Sequence, residues 1–328
     1  MKTILLMSIR SDQGGGPRHM LELAKFLKQE GHRVLIASPL DAPYGRLFQQ
    51  DFDGHFELPH RSFSLLAWIR LVSFAHKQGV KIVHSHGKGA GVYSRLMCLF
   101  GFPIIHTFHG LHLKGPVSTW LERILAPLTR TLVCVSDSEL VKAQQIHLPS
   151  GKLVVLANGM DFSRFKKGTP PPFVLGTLSR LDAHKGNHRL IELMALLPVS
   201  YVLKIAGDGE EKENLVKLIE GLGLKDRVTL VGEVSDPSDF LQTIAIYVSA
   251  SEGEGLPYAI LEAIAAQKPI VASKVPGHTD LLPDSCLFTD DFAQKISRAD
   301  QQDVNGLRHT IILRNDLPKA LSRIAQLY

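Results

Sequence analysis

The sequence predicts an α/β protein of two doubly wound, parallel-sheet domains. Short apolar runs of strand length alternate with amphipathic stretches of helical period through both halves of the 328 residues. Such alternation means βαβ crossovers and parallel sheets. Near the midpoint it is interrupted by Phe162 to Pro172, FSRFKKGTPPP. Consecutive prolines exclude helix and central strand and make a stiff linker. The expected domains are therefore 1–165 and 166–315, with 316–328 as a final amphipathic helix. The length is ample for two separate cores.

In the first half, Lys2 to Ile9 reads as the opening strand. Asp12-Gln13-Gly14-Gly15-Gly16-Pro17 leads into a helix ending at Lys28, with Leu21, Ala24 and Leu27 on one face. Strand, glycine-rich loop and helix together form a phosphate cradle, because free helix N–H groups point at the ligand. A triple glycine is also an ordinary tight turn. Val34 to Ala37 is the second strand. Residues 63–78, SFSLLAWIRLVSFAHK, form an apolar-rich helix with Trp68, Arg70 and Lys77. It suits a core or a membrane surface, and the core reading is preferred.

Val80 to Val83 is a strand, followed by His84-Ser85-His86-Gly87. The two histidines are expected on opposite faces, as poor joint metal ligands. Pro103 to His106 leads into Thr107-Phe108-His109-Gly110. A histidine at a strand's carboxyl end, before glycine, is a site candidate; such histidines are also commonly structural. Trp120 to Leu128 continues as helix, and Thr131 to Ser136 is a strand with Asp137 or Ser138 capping the next helix. Lys152 to Leu156 closes this half, before an Asn158-Gly159 turn.

The second half begins with the strand Phe173 to Leu178 and the segment Ser179-Arg180-Leu181-Asp182-Ala183-His184-Lys185-Gly186. Arg180 as a fork and Lys185 as a point charge suit a diphosphate clamp, although charge at a loop tip is often just solvated. Tyr201 to Ala206 is a strand ending in Gly207-Asp208-Gly209, then helix 210–222, strand Val228 to Val231, and Gly232-Glu233-Val234. The chain is organised around the next stretch, IYVSASEGEGLPYAILEAIAAQKPIVAS, Ile246 to Ser273. It reads as strand, loop, helix, strand. Pro257 suits the first helical position, and Ile260, Leu261 and Ile264 form the apolar stripe. Glu254 lies in the loop and Glu262 eight positions on, inside the helix. In such sheets ligands sit beyond the strands' carboxyl ends, where the loop Ser249 to Leu256 lies. Glycine-rich backbone and a helix N-terminus suit a phosphate, and carboxylates accept hydrogen bonds from sugar hydroxyls. Acids near a helix start also complement its dipole with no ligand involved.

Composition bounds the function. With 45% hydrophobic and 21% charged residues, the chain has the balance of a soluble globular protein. Cys98, Cys134 and Cys286 are its only cysteines. Their apolar settings read as free thiols in a reducing compartment, and without Cys-x-x-Cys no structural zinc site is implied. No apolar run reaches membrane-spanning length, and MKTILLMSIR reads as a strand rather than a signal peptide. Residues 1–165 carry 19 Lys and Arg against 11 Asp and Glu, a balance of +8; residues 166–328 carry 18 against 21, or −3. A basic first half fits an anionic partner or membrane surface, or ordinary surface charge.

Glu254 to Ala263, EGLPYAILEA, resembles the Glu–seven residues–Glu signature of retaining nucleotide-sugar glycosyltransferases with the GT-B fold, family four (glycosyl transferases group 1). Pro257, Leu261 and Ala263 fit it too, as do Arg180-Leu181 followed by Lys185-Gly186. The resemblance covers nearly the whole chain, densely from Phe173 to Asp280. One departure is Gln267, where the family usually has glycine before Lys268-Pro269.

The resemblance implies two Rossmann-like domains facing across a cleft. The first holds the acceptor, the second the nucleotide sugar, and the final helix packs back on the first. It places Glu254 by the transferred sugar, Glu262 on the ribose hydroxyls, and Arg180 with Lys185 on the diphosphate. Gly15 and Gly16 meet that diphosphate, His109 lies near the donor sugar, and the backbone at Val234 meets the base. Gly207, Gly255, Leu256 and Tyr258 complete the donor set, and the implied catalytic residues are His109, Glu254, Arg180 and Lys185. The expected donor is a UDP-sugar, with a GDP-sugar as alternative, carrying a hexose or N-acetylhexosamine. The expected acceptor is a lipid-linked, lipopolysaccharide or other cell-envelope glycan. No permanent cofactor and no nucleic acid is implied. No Asp-x-Asp metal motif is read in the sequence, so metal-independent transfer is expected, in the cytoplasm or peripherally on the inner membrane face. The rival readings are a nucleotide-sugar epimerase of the same architecture and a non-catalytic sugar-binding remnant.

Overall fold

A computed structural model describes residues 1–12, 14–111 and 115–328. Gln13 of the glycine-rich loop and Lys114, which with residues 115–130 is expected as a second stretch able to dock on a membrane surface, lie outside the described residues. The chain divides into two compact units, Met1–Gly159 with Leu317–Tyr328, and Met160–Asp316.

The first unit contains β1 Thr3–Met7, β2 Arg33–Ser38, β3 His55–Glu57, β4 Ile82–His86, β5 Ile104–Phe108, β6 Thr131–Cys134 and β7 Leu153–Val155. They pair in the order β3-β2-β1-β4-β5-β6-β7, every pairing parallel. Both faces are covered, so β1 and β2 are apolar on both sides rather than alternating, whereas β4 and β5 begin apolar and carry His84-Ser85-His86 and His106-Thr107 toward their carboxyl ends. Strand period two divides the core into layers. Ile4 and Leu6 pack with Met20, Leu23 and Leu27 of the helix Gly15–Gln29 and with Leu321, Ile324 and Tyr328 of the terminal segment. Leu5 and Met7 face Leu71, Val72, Ala75, Tyr93 and Met97 on the opposite layer.

The helix Leu65–Lys77 is capped by Ser64, whose hydroxyl accepts from the Ala67 N–H. It buries only Leu71, Val72 and Ala75, while Leu65, Leu66 and Ile69 face outward. Its core role is thus confined to one stripe. Ser136, not Asp137 or Ser138, caps the helix Asp137–Gln145 by accepting from the Glu139 N–H. The strand ends at Cys134, one residue before the extended stretch that positions the cap. The helix Lys88–Met97, KGAGVYSRLM, is an element the sequence does not announce, because glycines at two of its first four positions are poor helix formers.

The second unit contains β8 Val174–Leu178, β9 Val202–Ala206, β10 Val228–Gly232, β11 Ile246–Ser249, β12 Ile270–Ser273 and β13 Leu287–Phe288. Their order is β10-β9-β8-β11-β12-β13, again all parallel. The strand order reverses between β8 and β11, which makes the crevice beyond their carboxyl ends the natural ligand position. The organising helix runs Tyr258–Ala265, with Pro257 one residue earlier than expected, as its cap. It ends with Gln267 N–H donating to Ile264 O and Lys268 N–H to Ala263 O, the Schellman pattern. Gln267 has φ +54°, the left-handed conformation this ending requires. That is why glycine suits the position and why glutamine is strained there.

Candidate active site

Each unit gathers its candidate residues at the carboxyl ends of its central strands. In the second unit, β8 runs into Ser179 and Arg180. Arg180 Nη1 lies 2.8 Å from Asp182 Oδ2. Behind this turn passes Gly207, at φ +138°; a Cβ there would come within 1.9 Å of the Ser179 carbonyl oxygen. Glycine is required so that two loops can touch, which keeps Arg180 at the strand end. Gly207 N–H donates to Gly232 O at 2.7 Å, tying in the turn before Val234.

The centre of this unit's site is an ion pair. Lys185 Nζ donates to Glu254 Oε1 and Oε2 at 2.7 and 2.9 Å. The side chains are 20% and 12% exposed, so the pair sits in a recess that still opens outward. Burial alone would raise the Glu254 carboxyl pKa; the Lys185 ammonium outweighs it and holds the group below its ordinary range. Glu254 is backed by the following loop: its N–H donates to Pro276 O, and a Cβ on Gly277 would meet its Cβ at 2.7 Å. Glu262 is buried on the first turns of the helix, and Gly255, Leu256 and Tyr258 are buried between the two carboxylates.

Two residues missed in the sequence support them. Tyr247 on β11 is buried, and its phenol pKa is raised by burial first and then by the fields of Glu262 and Glu254. One phenol therefore senses both carboxylates. His278 is fully buried and bonded to Ser273 O at 2.8 Å; burial lowers its pKa, against the raising influence of Glu254. A tyrosine in an apolar strand and a histidine in a loop carry no pattern that would have singled them out.

In the first unit, His19, His84, His86 and His109 gather at the carboxyl ends of β4 and β5, with His106 nearby on β5. His84 and His86 lie on one face, rings stacked 4.4 Å apart, not on opposite faces as expected. The strand extends to His86, and residues two apart on a strand share a face. His106 is on the other face, bonded to the Ser85 hydroxyl at 2.9 Å. His84 Nε2 meets the Thr107 hydroxyl at 2.7 Å, and its Nδ1 bonds the Tyr328 phenol. His109 follows β5, with Nε2 3.1 Å from His86 Nδ1. His19, on the first helix, packs against both, ring centroids 5.5 Å from His86 and 5.2 Å from His109. Burial drives these groups down, His19 to about 4 and His84 to about 3, with His86, His106 and His109 also well below 6.5. All five are neutral imidazoles at pH 7. Gly15 and Gly16 open the helix that carries His19, and a Cβ on Gly16 would sit 3.6 Å from the His109 ring.

An Asp-x-Asp sequence does occur, Asp51-Phe52-Asp53, contrary to the sequence reading. Asp53 accepts from the Val34 N–H at 2.8 Å and lies 3.8 Å from Lys28, so it secures a sheet edge. A second buried feature is the ion pair of Arg95 and Glu122, 2.7 Å apart, which joins the helix Lys88–Met97 to the helix Pro116–Leu125.

The fold and these strand-end sites define a GT-B glycosyltransferase, and comparison with known proteins agrees. The family model for Glycosyltransferase Family 4 matches residues 13–164, and that for Glycosyl transferases group 1 matches residues 160–288. The chain belongs to this glycosyltransferase family. It is 26% identical to the O-antigen biosynthesis glycosyltransferase WbnH of Escherichia coli, over 91% of this chain and 90% of that one. It is 28% identical to the Escherichia coli UDP-Gal:α-D-GlcNAc-diphosphoundecaprenol α-1,3-galactosyltransferase, over 68% of this chain and 64% of the relative. Its fold matches the crystal structure of Anabaena HepE in complex with UDP-glucose at a TM-score of 0.89, with 21% identity, covering 100% of this chain and 99% of that one.

Proposed function

We propose that the protein transfers a hexose or N-acetylhexosamine from a UDP-sugar to a hydroxyl of a lipid-linked or lipopolysaccharide-type glycan, with retention at the anomeric carbon. The observation that carries this reading is the Lys185–Glu254 pair at the point of strand reversal in the second unit. An ammonium held beside a carboxylate there offers a cation for a diphosphate and an acceptor for sugar hydroxyls within one recess. Arg180 and Lys185 stabilise the charge that grows on the departing diphosphate. Glu262 takes the ribose hydroxyls, Glu254 the transferred sugar, and the turn at Val234 the base. Gly207, Gly255, Leu256 and Tyr258 shape the second unit's recess. In the first unit, Gly15 and Gly16 approach the diphosphate, and neutral His109 is a hydrogen-bonding group for the donor sugar. The protein's own cations do what a metal ion does elsewhere. The uridine donor is supported by the UDP-glucose complex of HepE and by the UDP-Gal donor in the relative's name.

The acceptor's membrane setting is supported by the first unit's surface. Among the described residues no helix is long and apolar enough to cross a membrane. Yet Leu65, Leu66 and Ile69 are exposed on one helix, and Val117, Trp120 and Ile124 on another, the most exposed at 76%. Arg70, Lys77 and Arg123 accompany them. Apolar side chains beside cations suit an anionic bilayer surface, each cation adding about 1 kcal/mol.

The deciding experiment measures uridine diphosphate release from a panel of UDP-sugars with and without lipid-linked acceptor, and the anomeric configuration of the product by NMR. Acceptor-dependent release with retained configuration is expected. Donor interconversion without acceptor and with the nucleotide–sugar bond intact would identify an epimerase; binding without turnover would identify a sugar-binding remnant. Flotation with anionic liposomes at low and high salt tests the membrane surface. Salt-sensitive binding, weakened by reversing charge at Arg70, Lys77 and Arg123, is expected, and no binding at low salt would refute it.

A further inference from the structure

We propose that His19, His86 and His109 form a tris-imidazole site for a divalent transition-metal ion of the zinc, cobalt or nickel class. One nitrogen from each ring lies within 4.8 Å of the others. His86 Nδ1 and His109 Nε2 are 3.1 Å apart, close to the separation of about 3.3 Å that two ligands take at about 2.0–2.1 Å from a tetrahedral ion. His19 is fully buried, and neither of its ring nitrogens has a hydrogen-bond partner; the same holds for His86 Nε2. A buried nitrogen with no bond to make is costly, and an ion drawing on one His19 lone pair removes that cost at that nitrogen. When both His86 Nδ1 and His109 Nε2 turn lone pairs to the ion, the proton they share moves to the far nitrogen of the ring that carried it. No proton need leave the protein.

The three ligands come from a helix, a strand end and the residue following a strand, so their spacing is fixed by the sheet. His19 is what the sequence reading lacked: it turns the strand-end pair into a trio. Three neutral imidazoles leave a fourth position open, and the half-buried His109 gives access to it. The ion would engage His109, whose ring lies against Gly16 at the start of the first helix. Resting on the donor assignment above, occupancy and donor-sugar binding then exclude one another, so the ion acts as an inhibitor rather than a cofactor.

The test titrates the full, chelator-treated chain with cobalt(II) and follows visible absorption. The expected result is intense four-coordinate bands saturating at one equivalent, displaced by zinc. His19→Leu and His86→Leu should abolish the bands, whereas His60→Leu on the surface should not. Weak six-coordinate absorption in the wild type, or bands that survive both substitutions, would overturn the site. The wild-type spectrum decides even if a variant does not fold, because this trio is the one group of three or more His, Cys, Asp or Glu ligands among the described residues. A second arm adds zinc to the turnover assay, where a raised KM for the UDP-sugar with kcat unchanged is expected. Cobalt bands without that change would overturn the exclusion of donor while the ligand set stands. Loss of all donor turnover under every condition would sink the enzymatic reading and leave the spectrum untouched.

Discussion

Glu254→Gln and Lys185→Ala should have opposite effects on nucleotide binding, although the two side chains form one ion pair. Lys185 Nζ makes both its contacts, 2.7 and 2.9 Å, to the Glu254 carboxylate. A pair of unit charges about 4 Å apart interacts with about 4 kcal/mol at an effective dielectric of about 20. The carboxylate therefore cancels much of the field that the ammonium would present to a diphosphate. Lys185→Ala removes one charge-assisted hydrogen bond to the diphosphate, worth about 1.5–3 kcal/mol, or about 10- to 150-fold in affinity. It also leaves a mostly buried carboxylate facing the anion, which places the loss toward the upper end and lowers the melting temperature. Glu254→Gln keeps the cation, keeps the shape and removes the competing charge. Uridine diphosphate should then bind as tightly as to wild type or tighter, while kcat falls because the transferred sugar has lost its carboxylate. Calorimetric titration with uridine diphosphate measures the first effect and steady-state turnover the second. If Glu254→Gln weakens the nucleotide as much as Lys185→Ala, or if Lys185→Ala binds it unchanged, Lys185 is not the diphosphate cation and the clamp assignment fails.

Three further outcomes follow from single features. Gln267→Gly should raise stability by about 0.5–1 kcal/mol in urea denaturation, since φ +54° costs glutamine but not glycine and the lost Gln267–Asn305 contact is exposed; destabilisation would show that this contact matters more than the backbone. Lys268 donates to Ile244 O at 2.9 Å while 3% exposed, and burial, then the charge of Lys167, lowers its pKa to about 8. Its unfolded form holds the proton more tightly, so its contribution to stability rises as pH climbs from about 8 towards 10.5; the stability difference between wild type and Lys268→Met should shift in that direction over this range, and a flat difference would mean the ammonium is not desolvated. Turnover should survive EDTA, because Arg180 and Lys185 supply the positive charge; complete loss restored by magnesium or manganese would show the cation assignment to be mistaken.

Much of this protein is set by local sequence. Alternating apolar runs and helical stripes are properties of neighbouring residues, so both parallel sheets were legible without coordinates. Glu254 with Glu262, eight residues apart, and Arg180 with Lys185, five apart, were singled out by local spacing together with the family resemblance. Gln267 stood out against the glycine that the family resemblance expects, and the structure supplied the reason, a left-handed φ of +54° at the helix end. Short or glycine-rich elements, such as β3 and the helix Lys88–Met97, were not legible, since their place depends on the sheet they complete. What only the tertiary structure decided is which distant residues meet. Lys185 and Glu254 are separated by 69 positions, and strand order rather than sequence places them together. Tyr247 and His278 acquired their roles by burial beside that pair. The gathering of His19, His86 and His109 needs a helix, a strand and a loop brought to one edge of a sheet, and no spacing along the chain encodes it.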